Sequence, residues 1–198
     1  IGGGTTDVAI FKEGNVWHTT VLPVGGYQIT RDIAIGLGVP FEMAESLKLK
    51  YGRLYPATNG VAGSPEVPTR VENGHGIMIQ DVNDIIRARA EEILRLTLVE
   101  LPAVDILTVA PSGVVLTGGS AKLPGMDAMC SEASRAPCRI GVPHNIHGLT
   151  DLLYDPAYAT SVGLLLRGSM AEESDSKNHR PSHLRRLFFR AKRSLSRK

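Results

Sequence analysis

The sequence predicts an α/β fold, and three features point to it. Two glycine-rich turns, "IGGGTTD" at residues 1–7 and "LTGGSAKLPG" at 116–125, each adjoin a run of apolar, β-branched residues. Between them, Gln80 to Leu101 repeats its apolar side chains at helical spacing. Val114, Val115 and Leu116 form a continuous apolar stretch, the pattern of a strand covered on both faces.

Thr6 to Phe11 alternates and reads as a strand, with a turn at Lys12-Glu13-Gly14-Asn15 and a returning strand over Val16–Val24. Pro23 ends the regular pairing, because it has no N–H to give. After Gly25-Gly26, the spacing of Ile29, Ile33 and Leu37 predicts a helix that stops at Gly36 or Gly38, with Thr30 and Asp32 serving its first turn. Phe41, Ala44, Leu47 and Tyr51 share one face of the next helix, which opens at Pro40 and closes at Gly52. Residues 53–76 are rich in Pro, Gly, Asn and Thr, and only "EVPTRV" reads as a short strand. Val82, Ile85, Ile86, Ala90, Ile93 and Leu94 form the buried stripe of the long helix. Met126–Arg135 is a further helix, "CRIGVP" a short strand, and Tyr158–Leu166 a last apolar helix closed by Gly168. Ser169–Pro181 is polar, mixed in charge and poor in large apolar residues, so it reads as a disordered linker.

The chain has 198 residues, enough for a real core. Its formal charge of +2 conceals an asymmetry: His179–Lys198 holds 8 Lys/Arg and no acid, leaving 14 basic against 20 acidic residues elsewhere. An acidic body with a basic tail suggests a negatively charged partner for the tail. The two cysteines, Cys130 and Cys138, make neither a zinc motif nor a disulfide framework, which fits ordinary reduced thiols in a cytosolic protein. No apolar run reaches the ~18 residues of a membrane span.

Glycine turns beside strands let backbone N–H groups approach phosphate oxygens. Gly2, Gly3 and Gly4 suit this, with the Thr5 and Thr6 hydroxyls as added donors. Asp7 cannot take phosphate itself; its use beside a nucleotide is to hold Mg²⁺ or its water shell. The competing reading is a plain hairpin with a glycine entry, and the pattern is neither a Walker A loop nor GxGxxG. The second strand–Gly-Gly turn favours a nucleotide held at both ends, with helix N-termini adding a favourable dipole.

The tail "SHLRRLFFRAKRSLSRK" has its own pattern. At 100° per residue, Leu187, Phe188, Ala191 and Leu195 fall on the side of Leu184, and Arg185, Arg186, Arg190, Arg193 and Arg197 lie around the rest. Such a helix lies in a membrane interface, and each basic residue adds about 1 kcal/mol on an anionic surface. A nucleic-acid arm and a disordered basic end compete with this reading, but neither needs an apolar stripe in helical register.

"IGGGTTD" and "VVLTGGSAKLPG" resemble the second phosphate loop and the adenosine loop of the actin-like ATPase superfamily. "AESLKLKYG" resembles the helix of that superfamily whose Glu and Lys approach the ribose and adenine. "VGGYQITRDIAIGLGVPFEMAESLKLKYG", "RIGVPHNIHGLTDLLYDPAYATSVGLLLRG" and the basic tail narrow the resemblance to the C-terminal half of the FtsA family. The run Gly141–Asp151 is its most specific part.

The resemblance implies an actin-like, ribonuclease H-like lobe: subdomain 2A at 1–52 and 102–168, 2B inserted at about 53–101, a linker at 169–181 and a membrane-targeting tail at 182–198. Family members carry an Asp directly before the first glycine loop, so the resemblance also implies a chain lacking that Asp and the N-terminal half. It implies ATP and Mg²⁺ as cofactors. Gly2, Gly3, Gly4 and Thr5 would lie at the β/γ phosphates, Asp7 near the metal through water, and Glu45 and Lys48 at the ribose. Gly118, Gly119, Ser120 and Lys122 would frame the adenosine. For Glu45 and Lys48 alone, a solvated surface ion pair is the plainer reading. Implied partners are FtsZ, reached through 2B and the 80–101 helix, further copies in a polymer, other division proteins and the anionic membrane, but no nucleic acid. The expected location is the cytoplasmic face of the inner membrane at the division site. The expected role is a scaffold with weak ATPase at most; a kinase or efficient ATPase of the superfamily, or a pilus-assembly tether, are the alternatives. His144 and His147, Trp17, the methionines and Ser112 read as structural.

Overall fold

A computed structural model of the chain describes residues 1–54, 66–70, 76–101, 111–144 and 153–178. They fall into two units, Ile1–Ala159 and a second beginning at Thr160.

The first unit opens with an antiparallel hairpin, β1 (Thr6–Lys12) and β2 (Asn15–Leu22), in register from Thr6↔Leu22 to Lys12↔Asn15. The two-residue turn has positive φ at both Glu13 (53°) and Gly14 (79°), the twist that suits a tight hairpin. Asn15 therefore belongs to β2 rather than to the turn, and β2 ends at Leu22, ahead of Pro23. Alternation places Thr6, Val8, Ile10, His18, Thr20 and Leu22 on the shielded side, while Phe11, Trp17 and Val21 are exposed. Trp17 is thus not packed in the core.

Helix α1 (Gly26–Leu37) ends on Gly38 in the left-handed conformation, at φ 63°. Gly36 lies inside it, where a Cβ would come within 2.8 Å of Ile85 Cδ1, so glycine permits the close approach of the next long helix. Helix α2 (Phe41–Tyr51) follows and closes at Gly52. Strands β3 (Glu66–Arg70) and β4 (Gly76–Met78) pair antiparallel and lead into α3 (Ile79–Val99). Val82, Ile86, Ala90 and Ile93 of α3 are fully buried and belong to one core with Ile29 and Ile33 of α1 and Ala44 and Leu47 of α2. The α3 stripe is the one its periodicity predicts, and it packs into the same core as α1 and α2.

Strand β5 (Val114–Leu116) pairs in parallel with β6 (Cys138–Ile140) across α4 (Met126–Ser134), and Met126 carries α4 into the core. Met43 and Met129 pack at its margin, as gap-filling residues do. The expectation of a strand covered on both faces is corrected here: Leu116 is buried, but Val115 is 49% exposed, and β6 is the only partner of β5 among the described residues. Continuous apolarity reports the average environment of a strand, not the cover on each face.

The described part of the second unit is helical: helix α5 (Ala159–Asn178) begins one residue before it. It continues past Gly168 into the stretch read as a linker, because one glycine costs a helix only about 1 kcal/mol. No described helix is long and apolar enough to cross a membrane. The tail residues Leu184, Arg185, Arg186, Leu187, Phe188, Arg190 and Leu195, together with His147 and residues 145–152, lie outside the described residues.

Candidate functional site

The first glycine loop is built onto the start of α1. Gly2 N donates to Thr5 O at 2.8 Å and closes the loop on itself. Gly26 N then donates to Gly2 O at 2.9 Å, and Tyr27 N to Gly3 O at 2.7 Å. The first donors of the helix, which have no partner within it, are thus taken by loop carbonyls. Gly25 makes this approach possible, since a Cβ there would lie 2.7 Å from Gly2 O and 2.9 Å from Gly3 O. At Gly3 and Gly4 a Cβ would meet nothing within 4 Å, and neither N–H has a partner among the described residues. Both residues are exposed, so these two unpaired amides are accessible to an anion. Thr6 does not join them: it is buried and its hydroxyl donates to Val24 O at 2.8 Å, so it supplies no ligand donor. Thr5 is exposed, with its hydroxyl on Asp7 Oδ2 at 3.1 Å.

Glu45 and Lys48 sit one helical turn apart on α2, with Nζ 2.7 Å from Oε2. They do not form a solvated surface pair. The Lys48 side chain is 11% exposed, and it also donates to Thr30 Oγ1 at 2.8 Å and to Gly26 O at 3.3 Å. The Thr30 hydroxyl in turn bonds Glu45. Burial pushes the Glu45 carboxyl up, but hydrogen bonds from Lys48 and Thr30 outweigh it and hold the group below its ordinary pKa of 4.5. Thr30 therefore serves this cluster rather than capping α1, which is closed instead by Gly25 N donating to Gln28 Oε1 at 2.8 Å.

The second glycine turn leaves β5 through Gly118, at φ 94°, into a 3-10 turn over Gly119–Lys122. Ser120 reaches the first loop, with Oγ donating to Gly2 O and N donating to Ile1 O, both at 3.3 Å. Its hydroxyl also occupies the space where a Cβ on Gly26 would stand. Thr117 and Gly118 fasten the turn to Pro156, and Lys122 is paired with Asp155 at 2.5 Å. The Asp155 carboxyl also caps Ala157 N, and the Lys122 hydrogen bond followed by that from Ala157 keeps it below the usual carboxylate range.

The structure thus brings Gly2, Ser120, Glu45 and Lys48 together around the first turn of α1. It turns Lys122 toward Asp155 and leaves Asp7 beside Thr5. Gly25, Gly26, Thr30 and Asp155 complete the arrangement and were not candidates from sequence. The Gly25-Gly26 doublet was a usable signal, since it reads as a close backbone approach as well as a chain break. Among the described residues no cluster of three or more metal-ligating side chains occurs. A single exposed carboxylate fits Mg²⁺ that arrives with phosphate and keeps its waters, not a resident ion.

Comparison with known proteins gives a consistent answer. The family model described as cell division protein FtsA matches residues 1–163. Cell division protein FtsA of Pseudomonas aeruginosa is 38% identical over 176 residues, covering 88% of this chain and 42% of that protein. The Bacillus subtilis protein of the same description is 37% identical over 166 residues, covering 83% and 36%. The chain therefore spans about two fifths of the length of these relatives. Among solved structures, MreB 5 of Spiroplasma citri bound to AMPPNP superposes with a TM-score of 0.68 at 19% identity, over 90% of this chain and 54% of that one. The PilM–PilN type IV pilus biogenesis complex gives 0.59 at 19% identity, over 85% and 44%. These likenesses carry the fold, which is actin-like. With the family model spanning most of its length, the chain belongs to the FtsA family of cell-division proteins.

Proposed function

We propose that this chain is the nucleotide-facing lobe of an actin-like division scaffold that binds ATP with Mg²⁺ and links FtsZ filaments to the membrane. The observation that carries the nucleotide reading is the convergence of Gly2, Ser120 and Lys48 on the first turn of α1, beside the exposed Gly3 and Gly4, whose amides have no partner among the described residues. The bound AMPPNP of the MreB 5 neighbour supports nucleotide as the ligand class. In this reading Gly2–Thr5 take the β/γ phosphates, Asp7 holds a metal-bound water, and Glu45 and Lys48 meet the ribose. Gly118, Gly119 and Ser120 frame the adenosine, while Lys122 shapes that loop through Asp155. Binding by this chain alone is weak, because a clamp needs two walls.

The remaining roles are those that family membership and the tail pattern support: self-association, contact with FtsZ through 53–101, contact with other division proteins, and anchoring at the cytoplasmic face of the inner membrane by 182–198. Two experiments test the proposal. Calorimetric titration of the longer protein with Mg-ATP should show binding that Gly25→Ala weakens at least tenfold; equal affinity in both forms would sink the nucleotide site. Replacing Leu187 and Phe188 with Asp should release the protein from anionic liposomes, and unchanged co-sedimentation would refute the tail assignment. Rapid phosphoryl transfer to a small hydroxylated substrate would favour an enzyme over a scaffold.

A further inference from the structure

Thr30, on α1, is a fully buried polar side chain. A buried hydroxyl must find partners, and the usual one in a helix is the carbonyl four residues back. Gly26 O is there, at 3.1 Å. Glu45 Oε2 on α2 is closer, and a carboxylate is the stronger acceptor, so the single Thr30 proton goes to Glu45. The Thr30 oxygen in turn accepts from Lys48 Nζ at 2.8 Å, and Lys48 lies 2.7 Å from the same Glu45 oxygen. These three atoms close a ring. Lys48 also donates to Gly26 O at 3.3 Å, and with that bond all three hydrogens of its ammonium are taken.

We infer, resting on the nucleotide reading above, that Thr30 is a positioning residue: its hydroxyl locks Glu45 and Lys48 into this ring and leaves Glu45 Oε1 as the one open acceptor for a ribose hydroxyl. The ring is graded from core to surface, since Thr30 is fully buried, Lys48 nearly so, and Glu45 partly exposed. Glu45 Oε2 is spent inside it, whereas Oε1 has no partner among the described residues. Lys48 has no N–H to spare and acts on the ligand through Glu45. An ionised carboxylate accepts and cannot donate, so it selects a hydroxyl or an N–H over an ether or phosphate oxygen. The ring adjoins the second glycine turn, because Ser120 Oγ and Lys48 Nζ both border the space where a Cβ on Gly26 would stand. Held from beneath by a core residue, the carboxylate pays little ordering cost when a ligand arrives. Without the Thr30 hydroxyl the ring opens, and Glu45 keeps only Lys48 as a partner.

The test titrates the longer protein with Mg-ATP and with its 2′,3′-dideoxy analogue by calorimetry. The parent should prefer ATP by about tenfold or more. Thr30→Val, which keeps the shape and removes the hydroxyl, should cut that preference to about twofold or less and leave the affinity for the dideoxy nucleotide as in the parent. Thr30→Ala, a smaller variant without the hydroxyl, should do the same, and Thr30→Ser should restore the preference. A Thr30 that only supports the fold would weaken both nucleotides together and leave their ratio alone, and that result overturns the inference. A parent that binds the two nucleotides equally also overturns it, while the nucleotide reading stands. A parent that binds neither removes that reading and the inference with it.

Discussion

Arg89 on α3 holds Asp32 on α1 in a two-pronged grip, with Nε 2.5 Å from Oδ2 and Nη2 3.1 Å from Oδ1. The Asp32 hydrogen bond outweighs burial and raises the Arg89 pKa, so the guanidinium stays charged. Both side chains are partly sheltered, and the fork geometry makes this pair stronger than a typical surface contact. Arg89→Met should cost about 1–2 kcal/mol of stability, read as a lower urea midpoint at unchanged slope. Arg89→Lys should recover only part of it, because an ammonium cannot reproduce the fork.

Glu45 contributes a pH-dependent share of stability. Its folded pKa lies below the ordinary 4.5, so its contribution is fully present above that pH and is lost as the pH falls through the folded value. Thermal melts between pH 7 and pH 3 should show Glu45→Gln less stable than the parent near neutrality. The gap should narrow below about pH 4.5. A gap independent of pH would place the loss in packing instead.

Gly118 leaves β5 with φ at 94°, and a Cβ there would collide with the Ile1 carbonyl. Gly118→Ala should destabilise by about 2–4 kcal/mol. Gly3→Ala, where a Cβ meets nothing within 4 Å, should leave Tm within about 1 °C. Differential scanning calorimetry of the two variants side by side checks the contrast.

Cys130 is buried on α4, and burial, with Cys138 beside it, pushes its thiol pKa to about 12. It should resist alkylation by iodoacetamide at pH 8 in the folded protein and react promptly in 6 M guanidinium. The ratio of the two rates, followed by mass spectrometry, should exceed about a hundredfold.

The sequence made some parts of this molecule plain and left others hidden. The α3 stripe and the glycine stop of α1 were legible because helical periodicity and left-handed caps are local properties. The family was legible from motifs in fixed order. The exposure of Val115 was not, since it depends on what lies beside β5 rather than on β5 itself. Nor were the pairing of Lys122 with Asp155 and the joining of Thr30 to Glu45 and Lys48. Each is a contact between segments far apart in the chain, and the residue types alone allow a ligand or a neighbour equally well. Glu45 and Lys48 show both sides of this: their spacing predicted a pair, but only the packing of α2 on α1 shows the Lys48 side chain sheltered and Glu45 half-exposed.

The Gly2–Gly4 loop is coupled mechanically to the centre of the lobe. Its carbonyls are the cap of α1, and α1 is clamped to α3 through Asp32 and Arg89. A shift of the loop strips two donors from the end of the helix unless α1 follows, and α1 cannot follow without dragging α3 or breaking the fork. The same contacts thus join the loop, the start of α1 and the side of α3 in one continuous chain of hydrogen bonds and ion pairing.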